Sequence, residues 1–484
     1  MGSCNGRGHK DIAMDSVPKD KMAISVKITP QTFVKPSILR ITDVYKMGKT
    51  LGSGTFGSVR IVTHKESGHQ RAVKIFRKST YPSKKEIAKL HSEIEILKNL
   101  DHPHIIQIYE YFEDPKRFYI IMEKCEGGEL YSQIVKQISF TEQDACGIIK
   151  QLVSALAYLH SQKIVHRDVK PENILFEYRD DLSSIKLIDF GVASFFEDQM
   201  NLKEPVGTLY YSAPEVLNKD YDAKCDLWSC GIITFLLLTG HPPFNTEDDG
   251  LIIEKVKLLR FSDLEEKLQS VSKPGQDFIK RLICPASERM TAEQALSHSW
   301  LNLQISKNIE TNALEALRKF NKGNKIQEAV RTYITSQCLT IEETRELKEL
   351  FMHIDSNADG KLSKEELSEY YFKVMGDYDN ADIENIMEKI DADKNGFVDY
   401  SEFIRATISA SVINNANNLK LAFKKFDLDN SGKISPEEFK NVLQGSFEYG
   451  EEVWKQIVKL ADKNRDGEID FNEFVQMIVN QTSA

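Results

Sequence analysis

Along the first 44 residues, polar and apolar positions follow no clear period, which reads as an irregular, mobile extension. From Tyr45 to about Lys78 the pattern changes. Residues alternate, β-branched side chains recur and glycines cluster, so strands are expected. From Glu86 to Leu100 the apolar positions Ile87, Leu90, Ile94 and Leu97 mark one face of a helix. Residues 140–300 are mostly helical in pattern, broken by short loops marked by proline and glycine. Residues 302–340 read as a charged, amphipathic connector. Beyond it a unit of 35 to 36 residues occurs four times, and a repeat of that length is one supersecondary unit. The longest apolar run, about Ile232–Leu238, is far shorter than a membrane-spanning helix. The N-terminus lacks the apolar stretch of a secretory signal.

Composition sharpens this outline. A chain of 484 residues exceeds one core, so two or three domains are expected. The formal charge of −10 is uneven: residues 341–484 hold 30 acidic against 17 basic side chains. A disordered acidic tail would look similar in sum. Here the acids recur in register with glycines and apolar residues, which argues for cation sites. Seven scattered cysteines form no paired framework and read as reduced thiols on the cytoplasmic side.

The chemistry begins at Gly52-Ser53-Gly54-Thr55-Phe56-Gly57-Ser58-Val59, a G-x-G-x-x-G-x-V run. Glycines there let the backbone approach phosphates, but alone such a run is as easily a hairpin. Ala72-Val73-Lys74 follows, with Lys74 as a point charge for phosphates and Glu93, on the expected helix, as its ion-pair partner. His166-Arg167-Asp168-Val169-Lys170-Pro171-Glu172-Asn173 is far more specific. It offers Asp168 as a base for an acceptor hydroxyl, Lys170 for the γ-phosphate and Asn173 for a magnesium ion. Asp189-Phe190-Gly191 adds a second magnesium ligand, Asp189. Ala213-Pro214-Glu215, Asp226 and Arg289 suit internal anchors of a helical lobe, with Arg289 paired to Glu215.

In this order and spacing, residues 45–301 resemble a eukaryotic-type protein kinase of serine/threonine specificity. The resemblance implies a bilobal α+β fold with a small β-rich N-lobe and a helical C-lobe. It extends the ATP pocket to Leu51, to Glu123 and Cys125 of the hinge, and to Glu129, with Met122 as gatekeeper. In basophilic kinases of this kind, acids at the places of Glu129 and Glu172 face an arginine three residues before the acceptor. The place of the usual activating phosphothreonine holds Glu204, a standing negative charge for Arg167.

Four windows after the connector fit D-x-[DNS]-x-[DNS]-G-x₅-E. Calcium takes six to eight oxygens, and such a loop supplies them from positions 1, 3, 5, 7, 9 and 12. The first would use Asp355, Asn357, Asp359, Lys361, Ser363 and Glu366. The second would use Asp391, Asp393, Asn395, Phe397, Asp399 and Glu402. The third offers Asp427, Asp429, Ser431, Lys433, Ser435 and Glu438. The fourth offers Asp462, Asn464, Asp466, Glu468, Asp470 and Glu473. Lys361, Phe397, Lys433 and Glu468 occupy the position that ligates through a main-chain carbonyl. Each loop keeps its glycine and its final glutamate, so four competent sites are expected. The aliphatics at position 8, Leu362, Val398, Ile434 and Ile469, suit pairing within two EF-hand pairs, 341–410 and 411–484.

A kinase followed by a short connector and four EF hands resembles the calcium-dependent protein kinase family of plants, ciliates and apicomplexan parasites. The resemblance implies ATP, magnesium and calcium as cofactors and protein substrates. It also implies a 302–340 junction that holds the kinase inactive until calcium remodels the EF-hand domain. Residues 309–334 suit one basic amphipathic helix that the EF-hand lobes could grip. Met1-Gly2-Ser3-Cys4 resembles an acylation start, myristate on Gly2 and palmitate on Cys4, although Gly6 stands where Ser or Thr is preferred. A cytoplasmic monomer that can attach to a membrane and binds no nucleic acid is the expectation. A pseudokinase scaffold would need Lys74, Asp168 or Asp189 replaced. A kinase governed by separate calmodulin would favour broken loops. Neither is found.

Overall fold

The computed structural model describes residues 28–482 except 38, 55–56, 81–82, 137–139, 197–201, 204–205, 244–247, 260–263, 303–311, 321–322, 376–379 and 444–450. The alternating N-terminal segment forms strands β1 (Tyr45–Gly54), β2 (Gly57–His64) and β3 (Gln70–Arg77). They join β4 (Ile108–Glu113) and β5 (Arg117–Met122) in an antiparallel sheet of order β1-β2-β3-β5-β4. Register places Gly52 opposite Val59, Val59 opposite Lys74, and Lys74 opposite Ile120. One row across the sheet therefore carries the glycine run and the phosphate lysine. Gly57 is required sterically, since a Cβ there would lie 1.9 Å from the Ile75 carbonyl oxygen. Helix α1 (Lys84–Lys98) packs Leu90, Ile94 and Leu97 under the sheet.

The helical lobe is built on α2 (Glu142–Ser161) and α3 (Lys224–Thr239). Thr141 caps α2 by accepting from the Asp144 N–H at 3.1 Å. α3 buries nearly every residue from Cys225 to Phe235, as a helix apolar all round must. Arg289 lies fully buried between Glu215, which it holds through two guanidinium nitrogens, and the carbonyls of Lys224 and Cys284.

The connector differs from the single helix expected. It forms α4 (Asn312–Lys319) and α5 (Lys325–Tyr333), then a π-helical turn at Ile334–Cys338. Gly323 takes φ +68° between them, and Asn324 starts the second helix in a capping box with Gln327. That glycine and cap outweigh the continuous apolar stripe. Residues 309–311 of the expected helix lie outside the described residues. Leu314, Leu317, Phe320, Ile326, Val330 and Ile334 are buried in the same core as the EF-hand helices. Two short antiparallel pairs join the calcium loops: Leu362 opposite Val398, and Ile434 opposite Ile469.

The described part of the N-terminal extension also differs from an unpacked segment, while Gly2 and Cys4 lie outside the described residues. Phe33 sits edge-on to Tyr333 at 5.2 Å and to Phe426 at 6.4 Å. Lys35 donates to the Asn441 and Val442 carbonyls at 3.2 and 2.7 Å, and Ser37 N–H donates to Tyr111 O at 2.9 Å. Residues 28–37 thus form a strap from the EF-hand core to β4. Its apolar positions are too few to show a period, which is why the pattern hid it.

Candidate functional site: a catalytic cleft and calcium loops

Lys74 Nζ donates to Glu93 Oε1 at 2.8 Å and to Asp189 Oδ1 at 2.7 Å. Burial alone would lower the Lys74 pKa, but the Glu93 and Asp189 carboxylates hold it above its ordinary value. Burial likewise works to raise Asp189, and Lys74 more than offsets it, so that carboxyl stays ionised. Phe190 is buried, edge-on to His166 at 4.9 Å. His166 and Arg167 donate their N–H groups to the buried Asp226 carboxylate at 2.9 and 2.8 Å. Asp189 and Arg167 both hold left-handed backbone, φ +62° and +68°. Strain of this kind persists where the surroundings over-determine it, as at active sites.

Asp168 is gripped by four donors. Thr208 gives its N–H and hydroxyl to Oδ1 at 2.9 and 2.8 Å, while Lys170 and Asn173 reach Oδ2 at 2.7 and 3.1 Å. Asn173 spends its amide nitrogen on Asp168, including the main-chain oxygen at 2.8 Å, which leaves its amide oxygen for a cation. With Asp189 it fits a magnesium site of oxygen donors. Leu51 and Gly52 lie on β1 and Val59 on β2, in register with Lys74; of Ser53 and Gly54 only the backbone course is described, and Thr55 and Phe56 lie outside the described residues.

At the hinge the structure adds an orientation that the sequence reading did not give. The Glu123 carboxylate is buried and faces away from the nucleotide pocket, accepting from Gln107 N–H at 2.7 Å and Lys186 Nζ at 2.9 Å. Its N–H donates to Gln107 O at 3.0 Å. Of Glu123, the main-chain carbonyl is the group left to meet a nucleotide, with Cys125 two residues further along the hinge. Lys186 was missed from sequence, yet a lysine inside Ile185–Leu187, a wholly buried strand, was the available signal. Met122 is half-buried and pairs with Ala72 across β3. Glu129 is exposed on the short strand Gly128–Glu129. Burial and then the charge of Glu172 raise the Glu129 pKa. Glu172 Oε2 is buried without a hydrogen-bond partner among the described residues. Glu204 lies outside the described residues. Among the described residues, Arg167 donates to Val192 O at 2.6 Å and to the Tyr221 hydroxyl at 3.4 Å.

Among the described residues, the second and third calcium loops bring three acids together. Asp391, Asp393 and Glu402 each offer an oxygen within 4.8 Å of the others, as do Asp427, Asp429 and Glu438. Position 1 of each loop accepts from the glycine N–H at position 6, at 2.9 to 3.0 Å for Asp355, Asp391, Asp427 and Asp462. Position 9 shares an N–H with the final glutamate in each loop, at 2.9 to 3.1 Å. Asn357, Asp359, Asn395, Ser431, Asn464 and Asp466 turn the loops inward by accepting from or donating to neighbouring loop groups. Convergent carboxylates on a glycine-bent loop fit calcium.

The geometry defines a protein kinase carrying EF-hand calcium sites. Family comparison gives the same class: a protein kinase domain matches residues 45–301, and EF-hand domain pairs match 344–408 and 416–479. The chain is 39% identical over 473 residues to calcium-dependent protein kinase 4 of Plasmodium falciparum, covering 94% of this chain and 89% of that protein. Against calcium-dependent protein kinase 5 of the same species it is 36% identical over 492 residues, 98% and 85% of the two chains. Against calcium-dependent protein kinase 3 of Plasmodium berghei the identity is 35% over 478 residues, 95% and 84%. The chain belongs to the calcium-dependent protein kinases: it is a serine/threonine protein kinase that uses ATP and magnesium and binds calcium in its EF hands.

Proposed function

We propose that calcium switches this kinase by moving its connector. With calcium bound, α4 and α5 are taken into the EF-hand lobes. Without it, the connector lies against the kinase and holds it inactive. The observation that supports this is the shared core: Leu314, Leu317, Phe320, Ile326 and Val330 are buried with EF-hand side chains, not with the kinase. In the cleft, Asp168 accepts the hydroxyl proton, and Lys170 steadies the transferred phosphoryl group. Lys74, held by Glu93, meets the α- and β-phosphates. Asn173 and Asp189 hold magnesium, which when bound neutralises phosphate charge.

Substrates carry a basic residue upstream of the acceptor. The Glu172 Oε2 atom, buried without a hydrogen-bond partner among the described residues and close to Glu129, supports this, because a desolvated carboxylate oxygen favours a cation. Acylation of Gly2 and Cys4 would add membrane attachment to a cytoplasmic monomer, since two chains anchor stably where one is marginal. Phosphotransfer to a peptide by the full chain, titrated from EGTA to saturating calcium, tests the switch. Activity that is flat across that titration would defeat it.

A further inference from the structure

Behind the hinge, on the face opposite the catalytic cleft, lies a charged cluster with no part in phosphoryl transfer. Its kinase members are Glu123 at the hinge, Lys186, and Glu177 after the strand Ile174–Phe176. Lys186 Nζ stands 2.9 Å from Glu123 and 3.8 Å from Glu177. The fourth member comes from the EF-hand domain. Lys348, on helix α6 (Ile341–Ile354), donates to Glu177 Oε2 at 2.5 Å and to Ser184 Oγ at 2.8 Å. Ser184 Oγ in turn donates to the same Glu177 oxygen at 2.5 Å. All four charged side chains are at most 5% exposed.

Charge counting makes the arrangement informative. The kinase alone contributes two carboxylates and one ammonium, a net charge of −1. Lys348 brings the cluster to neutrality. A buried charge without its partner is costly, so the buried state of this cluster belongs to the docked EF-hand domain. Burial alone would raise the Glu177 pKa, yet Lys348 and then Lys186 hold it below the ordinary carboxyl value. The cluster also spans the two lobes. Glu123 accepts from Gln107 N–H of the N-lobe and from Lys186 of the C-lobe, while its own carbonyl borders the adenine side of the hinge.

We infer that Lys348 is a positioning residue supplied to the kinase hinge by the EF-hand domain, and that the relay Lys348–Glu177–Lys186–Glu123 couples nucleotide binding to calcium binding. Coupling between two sites is reciprocal: whatever docking does for nucleotide affinity, nucleotide does for calcium affinity. This rests on the proposed switch, with the arrangement seen here, α4 and α5 in the EF-hand core and Lys348 against Glu177, taken as its calcium-bound state, and adds a property that the switch alone does not require.

The test uses the full chain and reads the calcium midpoint from equilibrium calcium binding, with and without a saturating magnesium complex of a non-hydrolysable ATP analogue. Wild type is expected to bind calcium at a midpoint about fivefold or more lower with the nucleotide. In Lys348→Met that nucleotide shift is expected to vanish, while the calcium stoichiometry stays that of wild type, which reports an intact EF-hand domain. The charge swap Lys348→Glu with Glu177→Lys keeps the sum neutral and is expected to restore part of the shift. Arg345→Met is the control. It removes a more exposed docking pair, Arg345 to Asp181 at 2.6 Å, from the preceding turn of the same helix, and is expected to retain the shift. An unshifted wild-type midpoint overturns the inference. So does a shift that survives in Lys348→Met, or one lost equally in Arg345→Met. If calcium still activates phosphotransfer in any of these cases, the switch stands and only the relay falls.

Discussion

Asp168 is held by donors from Thr208, Lys170 and Asn173, so its carboxylate is aimed before an acceptor arrives. Asp168→Ala is expected to lower kcat about 100- to 10,000-fold, the usual worth of a positioned base, with little change in nucleotide Kd. Asp189→Ala should weaken magnesium–nucleotide binding as well, and a fluorescent nucleotide titration separates the two. Glu172→Gln should erase the gain from an arginine three residues before the acceptor, which a peptide array compares directly. Arg289 is a stability residue. Arg289→Met leaves the Glu215 carboxylate, only 12% exposed, without its partner, so a loss of about 3–5 kcal/mol is expected in chemical denaturation. These residues were legible in the sequence because catalysis confines them to short runs such as 166–173 and 189–191. Glu177, Lys186 and Lys348 were not, because they are far apart in the chain and only the fold closes the distance. Glu123 was legible as a hinge position, but the facing of its carboxylate was not, because that depends on Lys186.

At the level of elements, the row Gly52–Val59–Lys74–Ile120 shows why alternation alone located the nucleotide sheet. The calcium loops were equally plain, since each ligand has a fixed offset from its glycine. The connector was only half legible. Its apolar spacing was visible, but Gly323 and the Asn324 cap divide it, and which lobe each half enters is a tertiary matter. Leu317 and Phe320 are buried in the EF-hand core. Leu317→Asp should therefore expel α4 from that core and raise the calcium concentration needed for half-maximal phosphotransfer. An unchanged midpoint would mean that α4 burial is unrelated to activation. Loop 1 also touches the kinase directly, since a Cβ on Gly360 would lie 2.2 Å from His102 Cδ2. A calcium loop is therefore part of the docking surface as well as a binding site.

Over the whole molecule, the EF-hand domain meets the kinase behind the hinge. Ser401 N–H donates to Asp101 at 3.2 Å, and just before the domain the connector's Gln337 carbonyl accepts from Arg71 at 2.5 Å. Truncation before about residue 305 should remove calcium dependence yet leave activity partial, because these docking contacts go with the removed domain. If Glu204 substitutes for a phosphothreonine, unphosphorylated full-length protein should be active with calcium alone, and Glu204→Gln should lower that activity. Activity that appears only after treatment by an upstream kinase would end that reading.

The strap at residues 28–37 gives the docked molecule a second clasp, remote in sequence from the connector. Phe33 lies against Tyr333 of α5 and Phe426, and Ser37 is tied to β4. When one clasp opens, the other keeps its partner close, and reclosing is intramolecular. Such a molecule should forget calcium slowly. After a rapid jump into EGTA, phosphotransfer should decay more slowly than calcium leaves the loops, and Phe33→Ala should bring the two rates together. The enzyme would then respond to the rate at which calcium pulses arrive as well as to their height.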